Sequence, residues 1–217
     1  MQISLEQALQ MPDAVIFAER LDSALKAEKK KRLHFYEIVD ENQKMEFING
    51  EIVFHSPVKK KHNAATGSIY TLLKTFVGKH HLGFVGVEKI MISLSRNDYE
   101  PDICFFGNEK AKDFDQNQMR FPAPDIAIEV LSDSTEKNDR ETKFQDYAAH
   151  NVQEYWIVDA EKQTVEQFFL QDGHYQLLLK SSSGDIASLV LPDFNIPIRS
   201  IFDDVLNLET LSTFASK

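Results

Sequence analysis

Apolar residues recur at spacings of three and four through Ala65, Ile69, Leu72, Leu73, Phe76 and Val77, which predicts a helix over residues 61 to 80 with that stripe on the core. Elsewhere the rhythm shortens. Asp125-Ile-Ala-Ile-Glu-Val-Leu131 and Glu154-Tyr-Trp-Ile-Val-Asp159 are short apolar runs rich in β-branched and aromatic residues, so both read as buried strands. Between them Asn138 and Glu141 have the form of a helix cap, and the helix should run to about His150 and stop at Asn151, a residue that tolerates the left-handed turn. Strand, helix and strand in this order predict a βαβ unit with a parallel pair at the core.

The other segments fall around that unit. Ser4 and Gln7 form a capping box opening a short helix, and Val15, Ala18, Leu21 and Leu25 mark an amphipathic helix from about Ala14 to Lys31. From His34 to His55 the pattern reads as strands. Asn49-Gly50 predicts a hairpin that sets Ile48 opposite Glu51 and Glu46 opposite Val53, placing both glutamates on one face. Phe84 to Leu94 gives two short strand signals and Tyr99 to Phe106 another, while Gly107 to Pro124 is polar and patternless apart from Phe114, Met119 and Phe121. A loop of that length is expected to border a substrate groove. After Asp159, Thr164 to Leu170 and Tyr175 to Lys180 flank an Asp-Gly turn as a second hairpin. Leu189 to Ile198, with Pro192 and Pro197, reads as an edge segment, and Ser200 to Leu206 as a short terminal helix. Residues 1–33 are thus expected to be a helical extension, and 34–217 a single domain.

Composition narrows the classes. With 217 residues, 42% of them hydrophobic, the chain can bury a sizeable core. No apolar run approaches 18 residues and the N-terminus lacks the form of a signal peptide, so no membrane partner is expected. The lone Cys104 excludes an internal disulfide and suits a reducing cytoplasm. A net charge of −10 argues against holding nucleic acid by bulk electrostatics. The basic residues nevertheless cluster at Lys26–Arg32 and at Lys59, Lys60, Lys61 and His62. Each cluster reads equally as a solvated face or as a phosphate contact.

One residue breaks the apolar pattern of the central strand. Glu129 sits where both faces should be buried, and a buried carboxylate needs a metal, a cation or water. Lys143, on the following helix, lies at the margin of the face carrying Phe144 and Ala148. Asp102, in Glu100-Pro101-Asp102, stands at the mouth of another strand. Two carboxylates and a lysine are what metal-dependent phosphodiester hydrolysis requires: acids to hold Mg²⁺ and a cation to orient water or offset charge.

The runs EPDI, PDIAIEVLSDST and KFQDYAAHNVQEYWIVD, in this order and with MEFINGEIV and His62 upstream, resemble the Uma family of restriction endonucleases within the PD-(D/E)xK nuclease superfamily. The resemblance covers roughly residues 40 to 160. It implies an α/β (α+β) restriction-endonuclease-like core, a central mixed sheet flanked by helices, and DNA hydrolysis dependent on Mg²⁺ or Mn²⁺. Asp102 and Glu129 would bind metal, and Lys143 would be the motif lysine. In most of the superfamily that lysine lies two residues after the second acid, which here is Leu131. The family is expected to supply it from the helix, with Lys137 a less favoured substitute. Asp125 shares a strand face with Glu129 but stands roughly 13 Å away at about 3.3 Å per residue, so it reads as a strand-start residue. The resemblance also associates a hairpin glutamate with the site, Glu46 ahead of Glu51, and a histidine, His62, for which an ordinary helix-end role is the alternative. Lys59, Lys60 and Lys61 join His62 as candidate nucleic-acid contacts. A homodimer is expected, since nucleases that cut two strands often pair, with the C-terminal apolar strands as one possible interface. A non-catalytic nucleic-acid-binding protein and a hydrolase of other phosphate esters are the competing readings.

Overall fold

The computed structural model describes residues 4–40 and 42–215, and two sheets organise it. In chain order the strands are β1 Met45–Ile48, β2 Glu51–Phe54, β3 Gly83–Val87, β4 Met91–Ser93, β5 Asp98–Tyr99, β6 Ile103–Gly107, β7 Arg120–Phe121, β8 Ile126–Val130, β9 Glu154–Asp159, β10 Thr164–Gln171, β11 His174–Ser181, β12 Asp185–Ala187 and β13 Asn195–Pro197. The helices are α1 Leu5–Leu9, α2 Ala14–Ile38, α3 Lys60–His80, α4 Asn108–Ala111, α5 Glu136–Asn138, α6 Phe144–Ala149 and α7 Asp204–Ala215. A π turn, Asp139–Lys143, joins α5 to α6, and a 3₁₀ turn, Ile198–Ile201, precedes α7.

Six strands form the central sheet in the order β11-β10-β9-β8-β6-β3, antiparallel except for the parallel β8–β9 pair. The expected βαβ unit and mixed sheet are therefore present. Alternation along β8 and β9 divides the core into two layers. Ile126, Ile128, Val130, Trp156 and Val158 pack with the α3 stripe, while Ala127, Tyr155 and Ile157 pack with Tyr147, Tyr99 and Phe106 on the other side. Glu129 belongs by parity to the second layer. It faces α6 and the smaller sheet, ordered β2-β1-β5-β4-β7.

The first hairpin has the predicted register, Ile48↔Glu51 and Glu46↔Val53, with Asn49 at φ 51° and Gly50 at φ 86° supplying the left-handed turn. Asn151 adopts φ 59° just past α6, as expected of a helix-end asparagine. Four expectations need correction. The segment from His34 is not strand: α2 runs on to Ile38, because Phe35 is fully buried against Phe47 from the helix. Asn138 caps nothing, since the helical turn starts at Glu136. Residues 107–124 are not patternless; they hold α4 and β7, and Phe114 and Phe121 pack their rings against Phe84 and Phe106. The terminal helix begins later than Ser200, at Asp204, and continues to Ala215. No helix among the described residues is long and apolar enough to cross a membrane.

Candidate active site

Where the two sheets meet α6, Glu46 on β1, Asp102 one residue before β6, Glu129 on β8 and Lys143 at the end of the π turn converge. Lys143 Nζ lies 3.0 Å from Glu46 Oε1, 3.0 Å from Glu129 Oε1 and 3.1 Å from Asp139 Oδ1. Its side chain is only 2% exposed. One ammonium thus serves three carboxylates, and Tyr147 adds a hydroxyl that donates to Glu129 Oε1 at 3.2 Å. The π turn that carries Lys143 and Asp139 is a rare geometry, frequent at functional sites.

Asp102 is held from the other side. The Val130 amide donates to Asp102 Oδ2 at 2.8 Å, Lys44 Nζ stands 3.0 Å from Oδ1, and His62 Nε2 is 3.3 Å from Oδ2. The Val130 contact ties Asp102 to the strand of Glu129 itself. Glu46 is fixed by the Glu100 amide, which donates to Oε1 at 2.8 Å, and His55 Nε2 lies 3.0 Å from Oε2.

These surroundings divide the acids. Burial pushes the Glu129 carboxyl well above the usual range, Lys143 pulls it back, and Asp139, Asp102 and Glu46 push it further up. For Glu46 burial acts the same way, but Lys143 and His55 outweigh it and hold the group down at about 2. Burial is likewise overcome at Asp102, where His62 and Lys44 keep the carboxyl below its ordinary value. Glu100 is pushed up to about 7, chiefly by burial, with Glu46 reinforcing it against Lys44. Burial disfavours the Lys143 ammonium, yet Asp139, Glu129 and Glu46 hold its pKa well above the ordinary lysine value. Lys143 is consequently a donor and not a base.

A cavity of about 420 Å³ opens onto this cluster, with Lys44, His62, Glu88, Asp102, Glu129 and Lys143 in its lining. No group of three or more His, Cys, Asp and Glu side chains is placed to hold a metal ion among the described residues. Mg²⁺ asks for less, since it keeps several waters and takes one or two carboxylates plus substrate phosphate. Asp102 and Glu129 offer that donor set from one cavity, and the hydrogen bonds to Glu129 both fall on Oε1. The residues fit a hard divalent cation.

The remaining sequence candidates separate clearly. Lys137 is exposed and Leu131 packs with the apolar layer, so Lys143 alone of the candidate lysines reaches Glu129. Asp125 accepts from the Gly107 amide at 2.7 Å and pairs with Lys110 at 2.7 Å, a strand-start role. Glu51 is exposed and pairs with Lys31. Lys59 pairs with Asp133 at 2.7 Å and Lys61 with Glu161, while Lys60 is exposed at the start of α3. Lys59 and Lys61 line a neighbouring cavity of about 340 Å³ that shares His62 with the first. Residues 107–124 line neither of these two cavities; Gln118, Met119 and Phe121 line a separate one of about 260 Å³. Lys44, Glu88, Glu100 and Asp139 are the members that motif reading passed over; only the Asp139–Lys143 spacing of one turn carried a signal.

Residues 31–199 match the family model Uma2, described as "Putative restriction endonuclease". The chain is 32% identical over 136 residues to the "Uncharacterized protein sll1609" of Synechocystis sp., covering 62% of this chain and 72% of that protein. The crystal structure of "a putative nuclease belonging to DUF820" from Anabaena variabilis superposes with a TM-score of 0.67 at 18% identity, over 82% of this chain and 96% of that one.

Proposed function

From the fact that this chain belongs to the Uma2 family, whose description reads "Putative restriction endonuclease", we propose that it is a divalent-metal-dependent endonuclease hydrolysing DNA phosphodiester bonds. The observation that carries the reading is Lys143, buried at the foot of a cavity and in contact with Glu129 while Asp102 lines the same cavity. Asp102 and Glu129 would hold Mg²⁺ or Mn²⁺. Bound there, such an ion would polarise the scissile phosphate and acidify a water.

The chain's own groups supply the rest. Lys143 keeps its proton at Nζ, orients Glu129 and presents positive charge where the phosphate gains negative charge. Lys44 and His62 keep Asp102 ionised and therefore ready as an oxygen donor. Glu46, ionised down to about pH 2, holds Lys143 in place from β1. Lys59, Lys60 and Lys61 would meet the phosphate backbone only after Lys59 and Lys61 exchange their acidic partners for it, a step favoured by low salt.

The test is nicking of supercoiled plasmid, and cutting of single-stranded DNA, with Mg²⁺ or Mn²⁺ by the native protein and by Lys143→Ala. Activity that vanishes in the variant and with chelator supports the reading. Activity retained in Lys143→Ala overturns the lysine role. A folded native protein that cuts nothing with either metal refutes the enzyme and leaves a non-catalytic nucleic-acid-binding protein.

A further inference from the structure

Among the described residues, none buries the first half of α2. Residues 15–27 are all exposed, a stretch of about 20 Å at 1.5 Å per residue. Phe17, Leu21 and Leu25 lie on one face of this stretch at helical spacing, 40%, 48% and 42% exposed. Seven residues after Leu21 the same face reaches Glu28, then Arg32 and Phe35, and there it docks. Glu28 pairs with Arg96, Arg32 with Asp98, and Phe35 is buried against Phe47. The apolar stripe therefore runs off the edge of the folded body. A helix of this length with no tertiary support is marginal in water, so the stripe calls for a partner.

Two observations name that partner. First, the charges are polarised along the helix. Residues 13–23 carry Asp13, Glu19 and Asp22 against Arg20, whereas residues 24–34 carry Lys26, Lys29, Lys30, Lys31 and Arg32 against Glu28. Laid antiparallel, two copies set each acidic half on a basic half; laid parallel, they would set like on like. Second, a cavity of about 540 Å³ lies where the stripe meets the body, with Leu25, Leu33, Tyr36 and Phe47 in its lining. It extends the same apolar face and offers room for side chains from the far end of a second helix.

We propose that α2 pairs antiparallel with α2 of a second copy across a two-fold axis, the acidic half of each helix lying on the basic half of the other, making a homodimer. This interface is isologous, since each copy gives one acidic and one basic half. It stands apart from the nuclease reading, and most of it precedes residue 31, where the family match begins. It also relocates the interface from the C-terminal strands, where β11 is an edge strand with Leu177 exposed.

Light scattering on the full chain tests it. The native protein should have about twice the mass of the 24.9 kDa chain, and Leu21→Asp/Leu25→Asp should halve it with the central fold intact by near-ultraviolet circular dichroism. Glu19→Lys/Asp22→Lys and Lys29→Glu/Lys30→Glu should each be monomeric alone and form a dimer when mixed in equal amounts. A monomeric native protein overturns the proposal. So does a dimer that survives Leu21→Asp/Leu25→Asp or is lost only in Leu177→Asp. A mass that doubles only when DNA is added also overturns it and assigns the basic half to nucleic acid.

Discussion

Two glutamates sit on neighbouring parallel strands, both almost wholly buried, and their surroundings make them different groups. Glu154 on β9 accepts from neutral donors: Trp156 Nε1 at 2.6 Å, Gln167 Nε2 at 2.7 Å, Ser188 Oγ at 2.8 Å, and the Leu189 and Val190 amides at 3.0 and 3.2 Å. Those bonds fasten the 188–190 loop to the sheet. Glu129 on β8 has Lys143 and Tyr147, three other acids raising its pKa, and a cavity in front of it. A carboxylate saturated by dipoles holds structure, whereas one held by charge and left facing a cavity can bind a cation. Burial alone does not tell them apart; the donors do.

The comparison can be broken most sharply at Glu129. Glu129→Gln should lower DNA cleavage at least about 100-fold, because even groups one layer out from a metal commonly cost 10- to 100-fold. Its thermal midpoint should stay nearly level, because Gln keeps an oxygen acceptor for Lys143 and Tyr147 and Lys143 retains Glu46 and Asp139 as charged partners. A large loss of stability with activity retained would place Glu129 with Glu154 instead. Glu154→Ala should do the opposite. Stranding donors buried around one carboxylate should cost on the order of 3 kcal/mol by urea unfolding, and whatever folded protein remains should cut DNA normally.

A smaller effect sharpens the comparison from within the charged cluster. Glu100 is raised to about 7, so between its ordinary value near 4.5 and pH 7 the folded state binds the extra proton, and stability falls as pH rises through that window. Glu46 is lowered to about 2, so its contribution is present above about 4.5 and is lost as pH falls toward 2. Glu100→Gln keeps an acceptor for the Met45 amide and should flatten the decline between pH 4.5 and 7, a change on the order of 1–3 kcal/mol. Unchanged pH dependence of the unfolding midpoint would show that Glu100 is not the titrating group.

Much of this layout is legible in the chain because it is local. Ile126 to Val130 and Glu154 to Asp159 announce buried strands, Asn49-Gly50 sets its own register, and Glu129 stands out by being an acid in an apolar run. What escapes is what distance in sequence creates. Lys44 is one lysine in a polar stretch until the fold sets it beside Asp102, 58 positions on. His34 to Ile38 has the β-branched and aromatic content of a strand, yet it remains helix because Phe35 finds its pocket only from that geometry. The π turn has no sequence signature, and with it the depth of Asp139 was hidden.

That turn has a mechanical meaning as well. Glu46 and Glu129 are rooted in sheets and Asp102 is tied to one by the Val130 amide, so ladder hydrogen bonds fix their spacing. Lys143 hangs on a helix whose position is set by the packing of Phe144 and Tyr147 against Tyr155. Those three acids therefore ride on the sheets, while Lys143 and its turn-mate Asp139 ride on the helix. A slide of that helix along its axis would change the lysine's reach while leaving the spacing of Glu46, Asp102 and Glu129 untouched, so the charge balance of the cavity has an adjusting screw separate from its frame.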